Sequence, residues 1–264
     1  MIVFFIAIPL IAYLSMVIFY SKKLGVENFE GKFVPYSLGV PILFSYGLFY
    51  VLYHGASSFS LGSVLFILLI WLLGFIDDIY GTPYPKGLKG HVMYALEEKV
   101  ITTGLLKAVG TVVTALLYVP TVQTLTLISF MVSLFLLIGI PHVMNLFDTR
   151  PLRVWKVTVC FIMAALFVIP LPTIHSIIML VALFGTWYFL EAYRKAMLGD
   201  NGATLVGAIM AVVSIHYFTP TTQFILLGIV FLFMLLAEKY SFSNIIENSS
   251  MLRVIDQWGV AKRQ

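Results

Sequence analysis

Five acidic or amide side chains stand at the ends of apolar runs: Asp77, Asp78, Asn145, Asp148 and Asp200. Asp77-Asp78 follows the run ending Trp71-Leu-Leu-Gly-Phe-Ile76. Carboxylates at membrane depth cost roughly 2.5 to 3.5 kcal/mol each on insertion scales and usually serve ions, protons or substrates. Neighbouring helical residues point about 100° apart. The pair therefore suits a division of labour, one acid on a metal and the other on a proton or a lysine; solvated acids at a helix end are the alternative. Asn145 and Asp148, three apart, share a face of a continuing helix. Arg150, Arg153 and Lys156 follow, placed either to hold phosphates or to meet anionic lipid. Gly199-Asp200-Asn201-Gly202 opens another run, where free backbone N–H groups favour anions and Asp200 could instead cap the helix. Lys107 lies just inside a further run, able to reach a phosphate or to snorkel to the interface. Hard oxygen donors of this kind suit Mg²⁺, which commonly bridges carboxylates and phosphates, so the set points to phosphoryl chemistry on a lipid.

The elements that must position these groups are helices in a membrane. Of the 264 residues 61% are hydrophobic and 11% charged, and the mean hydropathy is +1.01. Nine apolar runs are candidate spans: 1–20, 37–53, 60–76, 104–119, 124–142, 156–170, 172–190, 203–218 and 220–237. The expected fold is all-α, a polytopic helical membrane protein of about nine transmembrane helices. The gaps at 54–59, 120–123, 170–172 and 218–221 carry no Lys, Arg, Asp or Glu, and the remaining gaps carry all the charge except Lys107 and Lys156, which lie just inside the starts of their runs. The positive-inside rule then puts the N-terminus outside and the C-terminus in the cytoplasm. The organisation expected is one transmembrane domain over 1–264, with cytoplasmic loops 77–103 and 143–155 and a cytoplasmic tail 238–264. Tyr84-Pro85 breaks the longer loop, 92–100 suits a short surface helix, and the tail pattern of Ile245, Ile246, Met251, Leu252 and Ile255 suits an amphipathic one.

The 16 Lys and Arg exceed the 12 Asp and Glu, but topology accounts for the excess and no dense basic run exists, so nucleic acid is not expected. The single Cys160 excludes a disulfide framework or a Cys-based metal site. No internal repeat supports an inverted-repeat transporter.

In the order Asp77-Asp78, Lys107, Asn145-Leu-Phe-Asp148 and Gly199-Asp200-Asn201-Gly202, the chain resembles the polyprenyl-phosphate N-acetylhexosamine-1-phosphate transferases. That superfamily includes phospho-N-acetylmuramoyl-pentapeptide transferase, and the resemblance covers most of the chain. It implies a multi-pass cell-membrane enzyme that uses Mg²⁺ to move a sugar 1-phosphate from a UDP-sugar to a polyprenyl phosphate at the cytoplasmic face, releasing UMP. By position it implies catalytic roles for Asp77, Asp78 and Lys107. Asp200 and Asp78 would hold the metal, and Asn145, Asp148, Arg150 and Arg153 the substrate. The implied partners are polyprenyl phosphate and a UDP-sugar, with a second copy of the chain as a candidate partner. The chain departs from the family at Asp148-Thr-Arg-Pro151, which lacks a second carboxylate, and in having no histidine after His216. The alternative implied by those departures is a relative that binds polyprenyl phosphate or a partner protein without turnover.

Overall fold

A computed structural model of the chain describes residues 2–28, 31–53, 57–82, 87–122, 126–169 and 172–261. Tyr84, Pro85 and parts of the uncharged gaps lie outside the described residues. Twelve α-helices are present among them: α1 Ile2–Ser21, α2 Gly39–Leu52, α3 Leu61–Tyr80, α4 Gly87–Glu98, α5 Thr103–Tyr118, α6 Leu127–Phe147, α7 Arg153–Ala165, α8 Ile174–Ala192, α9 Gly199–Tyr217, α10 Pro220–Lys239, α11 Phe242–Asn248 and α12 Ser250–Gln257.

All nine apolar runs are helical, and six helices, α1, α3, α5, α6, α8 and α10, are long and apolar enough to cross a membrane. The protein is thus a polytopic helical membrane protein. Helices α2 and α7 have 14 and 13 residues. At about 1.5 Å per residue they fall short of a hydrocarbon core of about 30 Å. The short α7 borders an apolar cavity of about 410 Å³ lined by Phe161, Trp187 and Met210 among others. The segment 92–100 falls mostly within α4, and the tail forms α11 and α12. One element was not expected: β1 Gly25–Glu27 pairs antiparallel with β2 Phe33–Pro35.

Local chemistry explains the helix starts. Ser60, Thr102, Thr126, Thr173 and Thr219 each accept the N–H three residues on, capping α3, α5, α6, α8 and α10. Helix α9 has no such cap; it begins after Leu198, whose side chain cannot accept a hydrogen bond.

Helix α9 is nevertheless the centre of the bundle. Fourteen of its nineteen residues are buried, and it packs most extensively on α6 and α3, with α2 against it as well. Small residues permit this, because helices in lipid associate by close van der Waals packing rather than by hydrophobic drive. A Cβ on Gly207 would meet the backbone of Pro141 in α6, and one on Gly74 in α3 would lie 2.7 Å from Asn201 Cα. By contrast α10 has only Val230 buried, and it packs on α6 along one side.

These contacts predict opposite outcomes for two glycine substitutions. Gly207→Ala should lower stability by about 1 to 3 kcal/mol, the usual cost of overpacking against atoms that cannot move. Gly185→Ala in α8, where a Cβ meets nothing within 4 Å, should be neutral or slightly stabilising. Unfolding midpoints in detergent check both, and equal midpoints for the two variants would contradict the packing.

Candidate functional site

The groups singled out in the sequence gather at one end of the bundle, where α3, α6 and α8 end and α5, α7 and α9 begin. The adjacent acids at the end of α3 diverge, as their helical spacing requires. Asp77 turns toward α5 and Asp78 toward α9.

Asp78 closes the start of α9. Its Oδ1 accepts the backbone N–H of Asp200 at 2.9 Å, and its Oδ2 accepts the backbone N–H of Asn201 at 2.8 Å. The Asn201 side-chain amide donates to the same Oδ2 at 2.7 Å. The anion favoured by the free amides of the Gly199-Asp200-Asn201-Gly202 turn is therefore a side chain of the protein itself. Asn201, fully buried, also donates to the carbonyls of Tyr36 and Leu198 and accepts from Trp71 Nε1 at 3.1 Å. Tyr36 in turn donates its hydroxyl to the Asp78 carbonyl at 2.9 Å. Burial, and then the Asp78 charge, push the Tyr36 phenol above its ordinary value, so it stays a donor. Glycine is required at 199, where φ is +65° and a Cβ would lie 2.6 Å from Tyr36.

Asp77 belongs to a second cluster. Lys107 Nζ lies 2.6 Å from Asp77 Oδ2 and also donates to Asp200 Oδ2. Thr103, which opens α5, hydrogen-bonds Asp77. The three side chains are 20% (Lys107), 13% (Asp77) and 33% (Asp200) exposed, so the cluster is desolvated yet reachable. One lysine thus bridges one oxygen of each carboxylate.

Both oxygens of Asp78 accept hydrogen bonds from α9, while Asp77 and Asp200 meet at Lys107. No group of three or more His, Cys, Asp or Glu is placed to hold a metal among the described residues. A pair of carboxylates with open access still fits Mg²⁺, which commonly takes one or two protein carboxylates and completes its shell with water and substrate phosphate.

On α6, His142 lies within electrostatic reach of Lys107, and Asn145 is one turn further on. Asn145 Oδ1 is buried with no donor among the described residues, an arrangement that costs about 1 to 3 kcal/mol unless a ligand supplies the hydrogen. Asp148 caps the end of α6 and lines a cavity of about 440 Å³ with Arg150, Glu191, Arg194, Asn28 and Ser243. Desolvation and then the charges of Glu191, Asp200 and Asp78 hold the Asp148 carboxyl well above the usual carboxylate range, against the pull of the Gly199 amide. Glu191 is a site residue that sequence reasoning missed. It is 2% exposed and accepts Trp187 Nε1 at 2.6 Å. Its only sequence signal is an acid one residue before the end of an apolar helix.

The basic residues after Asp148 are placed differently from the expectation that they bind substrate. Arg153 donates from Nε and Nη2 to the two oxygens of Asp256, at 2.5 and 3.0 Å, and is 4% exposed. Its guanidinium is closed to substrate because a planar fork on a carboxylate, packed under the tail, has no free edge. Lys156 caps the carbonyl end of α12 through Ile255 and Asp256. Arg150 pairs with Glu247 at 2.7 Å, and both side chains are largely exposed. Exposed pairs of that kind contribute little.

Residues 60–218 match the model of a known family, described as Glycosyl transferase family 4. No curated protein matches the chain.

The two acids should respond differently to the same change. In Asp78→Asn the amides of Asp200 and Asn201 lose their anion, and hydrogen exchange over 200–203 should speed up about 5- to 150-fold, as expected for loss of an interaction worth about 1 to 3 kcal/mol. Asp77→Asn should leave that exchange unchanged. Equal protection in both variants would contradict the cap.

Proposed function

The chain belongs to glycosyl transferase family 4, and from that premise we propose that it is an integral-membrane phosphoglycosyltransferase. In this reading it moves a sugar 1-phosphate of the N-acetylhexosamine type from a UDP-sugar to a polyprenyl phosphate at the cytoplasmic membrane face. The observation that carries the reading is the convergence of Asp77, Lys107 and Asp200 at one end of a lipid-embedded bundle.

The reaction joins two anions. An oxygen of the lipid phosphate attacks the sugar-bearing phosphorus, a new P–O–P linkage forms, and the bond to UMP breaks, with UMP leaving as the phosphate monoester. Catalysis of this kind is mostly positioning and charge neutralisation. Mg²⁺, held by Asp77 and Asp200, would supply the positive charge that offsets the crowded phosphate oxygens. Lys107 aims both carboxylates at one point, and its charge lowers the repulsion felt by an arriving phosphate. Asp78 acts through α9, fixing where Asp200 stands. Asn145 Oδ1 offers an acceptor to a ligand N–H or O–H, and Arg150 and Arg194 line the adjoining cavity, where a diphosphate could be held.

A second reading has its own observation. No histidine follows His216, and Asp148-Thr-Arg-Pro151 has a single carboxylate, as in a relative that binds polyprenyl phosphate or a partner without turnover.

Protein in nanodiscs supplied with polyprenyl phosphate, a panel of UDP-N-acetylhexosamines and Mg²⁺ should release UMP, and chelation should stop it. Asp77→Asn and Asp200→Asn should each lower kcat by about 100-fold or more, the usual scale for losing a group that stabilises developing charge. Folded protein that binds polyprenyl phosphate yet releases no UMP across the panel would reject turnover and favour the second reading.

A further inference from the structure

After α10 the chain crosses the polar end of the bundle and is held there from one side. Arg150 takes Glu247, Thr149 and Ser243 share a hydroxyl contact at 3.4 Å, and Arg153 Nη1 donates to Ser243 Oγ at 3.1 Å. Arg153 then grips both oxygens of Asp256, and Lys156 the carbonyls of Ile255 and Asp256. Farther on, Tyr188 donates to the Gly259 carbonyl at 3.1 Å, and Ala261 N–H donates to the Ala192 carbonyl at 3.1 Å. Four of the residues that hold the tail, Thr149, Arg150, Arg153 and Lys156, follow directly on Asp148, and Ser243 lines the Asp148 cavity.

The opposite side of α12 is apolar and uncovered. Met251, Val254, Ile255 and Trp258 are 72%, 69%, 49% and 67% exposed. At about 100° per residue these four share one face. Asp256 points to the bundle, and Arg253 and Gln257 occupy the remaining side, so α12 has a protein side, an apolar side and a polar side.

We propose that the apolar side of α12 is seated in the headgroup boundary of an anionic bilayer leaflet, making the C-terminal segment a lipid-held strap that keeps the Asp148 cavity in shape. Its height fits. Arg153 and Lys156 tie α12 to the first turns of α7, whose outward side continues as exposed Cys160 and Met163. An apolar face carrying Trp at the level where helices leave the lipid is the usual composition of an interfacial helix. A second copy fits less well: four side chains on a two-turn helix cover far less than the roughly 800 Å² per partner of a standard interface.

The test needs no activity, so it stands or falls apart from the transferase reading. In a Cys160→Ser background, a fluorophore is attached through Val254→Cys or Arg253→Cys, in nanodiscs containing anionic lipid. A nitroxide lipid labelled near the headgroup should quench the Val254 label several-fold more than the Arg253 label, and aqueous iodide should show the reverse order. Equal iodide quenching at both positions would overturn the proposal, as would lipid quenching at Val254 seen only in discs holding two copies. In the triple variant Met251→Ser, Val254→Ser, Trp258→Ser, hydrogen exchange over 149–152 should rise several-fold, as it should in Asp256→Asn. An unchanged rate in the triple variant, with Asp256→Asn raised, would refute the lipid seating; no change in either would refute the strap.

Discussion

The Asp78 carboxylate on the amides of Asp200 and Asn201 is the interaction on which the rest depends. A helix N-terminus carries roughly half a positive charge and unpaired donors, and burying it without a partner is expensive. Helix α9 is the most buried helix of the bundle yet has no local Ser or Thr cap. Its cap is imported from α3 across 122 residues of chain. One contact therefore joins the two helices, satisfies the buried turn and sets the position of the Asp200 side chain.

That bond also turns two consecutive acids toward different neighbours. Had Asp78 faced the open end, α9 would have needed another anion and the acid pair would have competed for one ligand. With Asp78 turned inward, Asp77 and Asp200 meet at Lys107, each through one oxygen. The buried Asn201 locks this arrangement from behind, since its amide bridges Asp78, Tyr36 and Leu198 while Trp71 holds its oxygen. A phosphate arriving at such a site meets a lysine already oriented and acids already desolvated, which is where electrostatic preorganisation has its effect.

Much of this was legible in the sequence, because hydrophobic run length and charge placement are strong signals in lipid. All nine apolar runs are helices, and the Asp77-Asp78, Lys107 and Asp200 motifs do meet. Rotation about the helix axis was not legible: that two adjacent acids diverge follows from helical spacing, but which one faces α9 depends on packing of Gly74 and Gly199 against their neighbours. Nor was the fate of Arg153 and Lys156. A basic residue at a helix end satisfies the inside rule, a lipid or a phosphate equally well, and the partner that decides, Asp256, lies 103 residues from Arg153. The β1–β2 hairpin escaped for a simpler reason, as three-residue strands carry too little periodicity to be read.

Manganese(II) binding followed by electron paramagnetic resonance tests the division between the two acids most directly. The ion substitutes for Mg²⁺ at oxygen ligands and needs no turnover to be seen. Binding should survive in folded Asp78→Asn protein at weakened affinity, because only the placement of Asp200 is disturbed, and should be lost in Asp77→Asn and Asp200→Asn. Loss of the bound signal in Asp78→Asn with full retention in Asp77→Asn would contradict the account.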